Sequence, residues 1–139
     1  MKKVLILCTG NSCRSQMADG WLKHFTSPGK VEVYSAGTHP EKVNPYAVKV
    51  MQRYGIDISE NKSNNIEEYK DIEFDFVLTV CDSAKEVCPF FPSSNIIHKS
   101  FPDPAKVKGT DEELIEVYSD VSNNLNIFLK EFLKEYIIN

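Results

Sequence analysis

The feature that most constrains the fold is a short apolar run, followed by a loop of small residues and then a helix. The run Val4-Leu5-Ile6-Leu7 is typical of a buried strand, and residues 16 to about 25 are predicted to be helical. Between them lies the stretch Cys8-Thr9-Gly10-Asn11-Ser12-Cys13-Arg14-Ser15. Such a loop binds anions, because its backbone N–H groups point inward and the helix dipole adds partial positive charge. The sequence therefore predicts a strand, an anion-binding loop and a helix.

Two residues make this predicted anion site chemically reactive. Cys8 opens the loop and Arg14 closes it, which is a Cys-x5-Arg spacing. Donors and positive charge that converge on Cys8 are expected to lower the pKa of its thiol below the ordinary value of about 8.5. Ser15 is a candidate hydroxyl donor to the thiolate, and Arg14 offers a planar fork for two oxygens of a tetrahedral oxyanion. The site thus favours a thiolate that attacks phosphate or a phosphate analogue.

The oxyanion-binding loop is predicted to consist of Thr9, Gly10, Asn11, Ser12, Cys13 and Arg14. Gly10 is interpreted as a position of close backbone approach, and Cys13 as a filler residue. The alternative is a buried cysteine in an ordinary turn, since a Cys-x5-Arg spacing by itself is common by chance.

Length and charge limit the classes to which the protein can belong. A chain of 139 residues, 42% of them hydrophobic, suits a single domain over residues 1–139. A net charge of −4 without a long basic run argues against nucleic acid or an anionic membrane as a partner. The apolar run after Met1-Lys2-Lys3 is shorter than a signal peptide needs, and no stretch approaches the length of a membrane span. We expect a monomeric cytoplasmic protein.

Strand-like and helix-like segments alternate along the rest of the chain. A turn is predicted at Pro28-Gly29. Further strands are predicted at 31–35, 74–80 and 95–98, and residues 56–58 are either a short strand or an extended link. Helices are predicted after Asn44, at 66–69, and from a cap at Thr110 to about residue 136. The alternation predicts an α/β fold, an open parallel sheet of about four strands with helices on both faces.

In such a sheet, functional groups gather beyond the carboxyl ends of the strands. Cys8, Cys81 and the loop that holds Asp103 each follow an apolar strand, so we expect them at one edge. Asp103 lies between Pro102 and Pro104, which restrict its backbone, and it is a candidate general acid with a raised pKa. An ordinary turn aspartate is the alternative.

Cys81 and Cys88 bracket a short polar segment. In a helix their sulfurs would lie about 10 Å apart along the axis, from a rise of about 1.5 Å per residue. A disulfide needs Cα atoms within about 7 Å, so the pair can close only if the segment unwinds. Neither this pair nor Cys8 and Cys13 has the usual spacing of zinc ligands. The alternative is two unrelated cysteines.

Motifs across nearly the whole chain resemble one known family. They are the stretch from Cys8 to Ala18, Tyr34-Ser35-Ala36-Gly37, Val43-Asn44-Pro45, Ile56-Asp57-Ile58-Ser59, Thr79-Val80-Cys81, Cys88-Pro89 and Phe101-Pro102-Asp103-Pro104-Ala105. The chain is similar to the thioredoxin-coupled arsenate reductases, which share the fold of the low-molecular-weight tyrosine phosphatases. The first motif fits either group, and the Cys81 and Cys88 pair separates the reductases from the phosphatases.

The resemblance implies a mechanism for arsenic detoxification. Cys8 would attack arsenate held by the loop and Arg14, with Asp103 protonating the departing oxygen. Cys81 would then attack Cys8 and release arsenite, and Cys88 would attack Cys81. Reduced thioredoxin would restore the dithiol. No organic or metal cofactor is implied.

Certain family members bind potassium beside the loop. Asn11, Asp19 and Ser35 match ligands there, whereas the carboxylate expected at residues 63–65 is replaced by amide or hydroxyl side chains. The resemblance therefore implies at most a weak potassium site in this chain.

Two other functions compete with arsenate reduction. A tyrosine phosphatase would use the same Cys8, Arg14 and Asp103, with water cleaving the intermediate. Its relatives carry aromatic residues after the Asp-Pro pair, whereas Ala105-Lys106-Val107 follows here, so only residual phosphatase activity is expected. The other alternative is a non-catalytic oxyanion-binding or redox-sensing module.

Overall fold

The fold is built on a four-stranded parallel sheet. The computed structural model describes residues 1–26 and 29–137, so Pro28 of the predicted turn lies outside the described residues. The strands are β1 (Lys2–Leu7), β2 (Val31–Ala36), β3 (Phe76–Thr79) and β4 (Ile96–His98). Their order in the sheet is β2-β1-β3-β4, and every neighbouring pair is parallel. The predicted parallel sheet of four strands is confirmed.

Helices cover the sheet unequally on its two faces. The α-helices are α1 (Arg14–Phe25), α2 (Pro45–Gln52) and α3 (Asp111–Phe132), and α3 continues into a π-helical segment, Leu133–Ile137. All three α-helices share one apolar core with Val4 and Ile6 of β1. On the other face, Leu5 and Leu7 pack in a smaller core beside the 3-10 helix Ile66–Tyr69. A second 3-10 helix, Pro104–Lys106, follows Asp103.

The alternation of side chains along β1 explains these two cores. Successive residues of a strand point to opposite faces, and both faces of β1 are buried. A central strand of a covered parallel sheet is therefore apolar throughout, as the Val4-Leu5-Ile6-Leu7 run is.

Some predicted segments differ from the structure in extent or type, and two of them are informative. β3 starts at Phe76 instead of residue 74, because Phe74 leaves the ladder to pack edge-on against Tyr34 and Phe91 in the smaller core. Residues 56–58 belong to no strand, although Ile56 and Ile58 are both buried. The second of the two predicted alternatives, an extended link, is therefore observed.

The predicted helix caps are present. The Asn44 side chain accepts hydrogen bonds from the first amides of α2, and Thr110 forms a reciprocal capping box with Glu113 at the start of α3. One face of α3 packs in the core, with Tyr118, Leu125 and Phe132 buried. None of the helices within residues 1–26 and 29–137 is long and apolar enough to cross a membrane.

Candidate active site

A cleft of about 770 Å³ opens where the predicted groups were expected to meet, beyond the carboxyl ends of the strands. Cys8, Arg14 and Asp103 all line it, together with part of the segment between Cys81 and Cys88. The complete lining is Cys8, Thr9, Gly10, Ser12, Cys13, Arg14, His39, Glu41, Asn44, Asp82, Lys85, Glu86, Pro102, Asp103, Ala105, Lys106 and Val107. The topology thus brings together residues up to about 100 positions apart in the chain.

The loop between β1 and α1 is held by its carbonyl groups. Those of Thr9, Gly10 and Ser12 accept hydrogen bonds of 3.0, 2.8 and 2.9 Å from the backbone N–H groups of residues 39, 41 and 44. The carbonyls are therefore used by the surrounding chain, whereas the first N–H groups of α1 have no carbonyl partner within their own helix, which is what an anion-binding helix start offers. This is the arrangement of an anion-binding loop.

Within the protein, close backbone approach occurs at Gly37, whereas the close approach predicted at Gly10 stays a prediction. A Cβ atom on Gly37 would lie 2.4 Å from the Thr9 carbonyl oxygen and 2.9 Å from the Asn11 nitrogen, so no larger residue fits. A Cβ atom on Gly10 would make only ordinary contacts at 3.7 Å. Gly37 follows β2 directly, and its lack of a side chain lets the loop lie against that strand.

The Cys8 sulfur lies at the end of a chain of hydrogen bonds. The backbone N–H of Asn64 donates to Asn11 Oδ1 (2.8 Å), which fixes the orientation of the Asn11 side-chain amide. Asn11 Nδ2 then donates to Ser15 Oγ (2.7 Å), and Ser15 Oγ lies 2.9 Å from Cys8 Sγ. Ser15 Oγ accepts from Asn11 and keeps its own proton, so the hydroxyl can donate to the sulfur when Cys8 is a thiolate.

Asn11 owes this position to an unusual backbone. Its φ is +46°, in the left-handed region that asparagine tolerates better than most residues, and the side chain is fully buried. The sequence prediction counted Asn11 only as a loop member and a potassium ligand. Its role in orienting Ser15 was missed, because it depends on Asn64, which is 53 positions away.

Arg14 is the first residue of α1 and is 3% exposed. Its Nη1 donates to the Phe101 carbonyl oxygen (3.1 Å), and its Nη2 lies 3.7 Å from Asp103 Oδ2. Burial opposes the charge, but the hydrogen bonds to Glu86 and the negative charges of Cys8, Asp103 and Glu86 outweigh it and raise the guanidinium pKa. Arg14 is therefore a fixed cation at the floor of the cleft.

Glu86 is the residue that the sequence prediction missed. Its carboxylate takes two hydrogen bonds from Arg14, at 2.6 and 2.8 Å, and one from Thr9 Oγ1 at 2.8 Å. Burial alone would raise its pKa, but the bonds from Arg14 and Thr9 lower it to about 2. The one available signal was its position five residues after Cys81, which was predicted to lie at the same edge of the sheet as Cys8.

The Glu86 pKa predicts a pH dependence of stability. The carboxylate is stabilising above its ordinary pKa of 4.5, and this contribution is lost as the pH falls toward the folded-state value of about 2. Between pH 5 and pH 3 the disulfide form should lose about 2 kcal/mol more unfolding free energy than the Glu86→Gln variant. Urea denaturation of both proteins at the two pH values measures this difference, and equal losses would contradict it.

Asp103 caps the 3-10 helix Pro104–Lys106, with its Oδ1 accepting from the Ala105 amide at 3.0 Å. This bond, together with the flanking prolines, aims the carboxylate at the cleft. Its Oδ1 lies 3.7 Å from Cys13 Sγ. The structure thus places Asp103 beside the loop, where a general acid must be, and the acid role itself stays a prediction.

Cys13 is a buried free thiol. Burial, and after it the negative charges of Asp103 and Cys8, raise the pKa of Cys13 well above its ordinary value. A neutral thiol is a poor nucleophile. These properties agree with its interpretation as a filler residue and leave Cys8 as the nucleophile of the loop.

Cys81 and Cys88 form a disulfide with their Cα atoms 5.8 Å apart, whereas Cys8 is a free thiol. We call residues 81–88 the disulfide segment. It forms turns and contains no α-helix, as closure of the bond requires. Cys81 is fully buried at the end of β3, and Cys88 is partly exposed. Cys88 is therefore the sulfur that a partner molecule can reach.

The residues considered for potassium are engaged with the protein itself. Asp19 Oδ1 lies 3.0 Å from Lys23 Nζ, and Ser35 Oγ donates to Asp19 Oδ2 at 3.5 Å. Burial raises the pKa of Asp19, and the Lys23 charge opposes that rise. The Asn11 amide is also used within the protein, and the weak potassium site at these residues stays a prediction.

One further group could be taken for a metal site. Among the described residues, Cys81, Cys88 and His98 bring their ligand atoms within 4.8 Å of one another. Both sulfurs are consumed by the disulfide, however, and metal binding needs thiolates. In this state the group does not fit a metal ion.

Comparison with known proteins agrees with this geometry. Residues 3–137 match the family "Low molecular weight phosphotyrosine protein phosphatase". An arsenate reductase of Halalkalibacterium halodurans is 46% identical over 132 residues, 94% of each chain. A solved structure described as an arsenate reductase in oxidized state superposes with a TM-score of 0.77 at 28% identity, over 97% of this chain and 98% of that one.

A second solved structure shows how widely the fold is shared. The low molecular weight protein tyrosine phosphatase from T. tengcongensis has a TM-score of 0.77 at 24% identity, over 97% of this chain and 99% of that one. At that identity the likeness concerns the fold alone. The family match and the relative of 46% identity go further, and the chain belongs to the low molecular weight phosphotyrosine protein phosphatase family, within which it groups with the arsenate reductases.

Proposed function

We propose that this protein reduces arsenate to arsenite with Cys8 as the nucleophile and a relay of three thiols, Cys8, Cys81 and Cys88. The observation that carries the proposal is the Cys81–Cys88 disulfide on a segment that lines the same cleft as the free thiol of Cys8. A phosphatase needs the Cys8 loop but has no use for this second pair of thiols.

The electrons balance over three steps. The Cys8 thiolate attacks As(V), and one arsenate oxygen leaves as water after protonation by Asp103. The Cys81 thiolate then attacks Cys8 Sγ, and the S–As electron pair stays on arsenic, which is released as arsenite. Finally the Cys88 thiolate attacks Cys81, Cys8 leaves as a thiolate, and the disulfide seen in the structure results. Two thiols have supplied the two electrons.

A protein dithiol, with thioredoxin as the candidate, must return those electrons. Its thiolate would attack Cys88, because Cys81 is fully buried. Val87 and Phe90 flank Cys88 and are 90% and 73% exposed, so they offer an apolar surface for a protein reductant. The relay uses residues of one chain only, so a monomer suffices for the reaction. The need for reduced thioredoxin favours the cytoplasm as the location of the protein.

Phosphotyrosine hydrolysis is the second candidate, because the family and the Cys8, Arg14 and Asp103 set are shared with phosphatases. The cleft wall after Asp103 consists of Ala105, Lys106 and Val107, with no aromatic side chain to stack on a phosphotyrosine ring. We propose phosphatase activity only as a weak side reaction.

The test is arsenate-dependent NADPH consumption in the presence of thioredoxin and thioredoxin reductase, with wild-type protein and the Cys88→Ser variant. We expect sustained turnover in the wild type and none beyond a single cycle in the variant, because the variant cannot resolve the Cys8–Cys81 bond. Aryl phosphate hydrolysis in both proteins without arsenate turnover would favour the phosphatase. Absence of both activities would favour a binding or redox-sensing module.

A further inference from the structure

The disulfide segment places a carboxylate, that of Glu86, in the predicted oxyanion site. Glu86 presents two carboxylate oxygens to the two terminal nitrogens of Arg14, at 2.6 and 2.8 Å, which is the pairing that an oxyanion would make. Thr9 Oγ1 adds a third bond at 2.8 Å. A bidentate oxyanion on the same Nη1–Nη2 edge would have to displace the carboxylate, so the two anions compete for that edge of Arg14.

The position of Glu86 depends on how the disulfide segment is closed. The Cys81–Cys88 bond holds the ends of the segment 5.8 Å apart at their Cα atoms. Inside it, the Glu86 amide donates to the Asp82 carbonyl (2.9 Å), and the Asp82 amide donates to Glu86 Oε2 (3.1 Å). The tight turn therefore aims the Glu86 side chain at Arg14, and cleavage of the disulfide removes the covalent restraint on that turn.

We propose that Glu86 is a redox-coupled internal competitor for the oxyanion site, which occupies Arg14 while the Cys81–Cys88 disulfide is intact and leaves it after reduction. Oxidised protein then has low affinity for phosphate and arsenate, and a new substrate binds only after the thiols have been restored. The proposal needs the oxyanion loop and the disulfide but does not depend on arsenate turnover.

Linkage gives the proposal a second, reciprocal consequence. If oxidation weakens phosphate binding by a given factor, phosphate must favour reduction of the disulfide by the same factor. A tenfold difference in affinity corresponds to about 30 mV in the potential of this two-electron couple at saturating phosphate. Because the reduced protein binds phosphate more tightly in this proposal, phosphate makes the disulfide easier to reduce.

The experiment measures binding of inorganic phosphate by calorimetry to the oxidised protein and to protein reduced with dithiothreitol, at constant ionic strength. For wild type we expect affinity to be at least about tenfold lower in the oxidised state, because a charge-assisted bidentate pair must be displaced. For Glu86→Gln we expect the two states to agree within about threefold. Binding to reduced Glu86→Gln also shows that the variant is folded.

Glu41→Gln is the matched control. Glu41 lines the same cleft and is exposed, so its loss removes one negative charge without removing the carboxylate that holds Arg14. This variant should keep the wild-type difference between the two redox states. The proposal is overturned if wild type binds phosphate equally in both states, if oxidised Glu86→Gln stays as weak as oxidised wild type, or if Glu41→Gln abolishes the difference as fully as Glu86→Gln does.

Discussion

Replacement of Cys8 by serine is expected to reduce arsenate-dependent turnover by about 10⁴-fold or more, the scale on which removal of an enzyme nucleophile acts. Serine keeps the hydrogen bond to Ser15, which is 2.9 Å from the sulfur in the structure, so the loop should keep its shape. The hydroxyl is far harder to ionise than a thiol, and it cannot form the bond to Cys81 that the relay requires. The measurement is steady-state NADPH consumption with the thioredoxin system.

Cys13→Ser is the matched control, since both cysteines belong to one loop and both are buried. The Cys13 thiol is held neutral by burial and by nearby negative charge, and a serine there can still bond to Asp103. The turnover rate of Cys13→Ser should stay within about fivefold of wild type, which corresponds to a change of about 1 kcal/mol in activation free energy. Equal losses in both variants would show that the loop needs both thiols for its structure. Retained phosphate binding in Cys8→Ser would then separate lost chemistry from lost folding.

Local sequence signals were sufficient to predict the sheet and the helices of this molecule. The Val4-Leu5-Ile6-Leu7 run is buried on both faces because β1 is a central strand, and apolar runs of that kind have few other structures available. The caps at Asn44 and Thr110 satisfy orphan amides of their own helices, within three residues of themselves. Parallel strands then bring their carboxyl ends to one edge, which is why Cys8 and Asp103 were expected to be neighbours.

The details of the site depend on contacts that local patterns do not contain. Glu86 is 72 positions from Arg14, and nothing in the residues beside it distinguishes it from a solvent-exposed acid. Gly37 is required because the Thr9 carbonyl lies 2.4 Å from the position of its absent Cβ, a contact between two separate strand ends. Such constraints arise only once the chain has folded, and they decide which of several plausible loop residues carry a function.

Replacement of Arg14 by lysine is expected to lower kcat/KM for arsenate by about 10²–10³-fold, the scale seen when one donor to an oxyanion is removed. Lysine keeps the charge but offers one nitrogen instead of a planar fork, so it cannot pair with two oxygens at once. It would also leave the Phe101 carbonyl, now bonded at 3.1 Å, without its guanidinium donor. Phosphate affinity of the reduced protein should fall in parallel, because the same fork holds both anions.

Arg53→Lys tests whether this loss is specific to the site. Arg53 is the other arginine of the chain, lies at the exposed end of α2, and should tolerate lysine with unchanged kinetics. A fall in kcat/KM at Arg14→Lys without any change in phosphate affinity would mean that the fork acts only on the transition state. If arsenate turnover survives Arg14→Lys within threefold, charge alone binds the oxyanion, and the bidentate geometry on which the competition with Glu86 also rests is not needed.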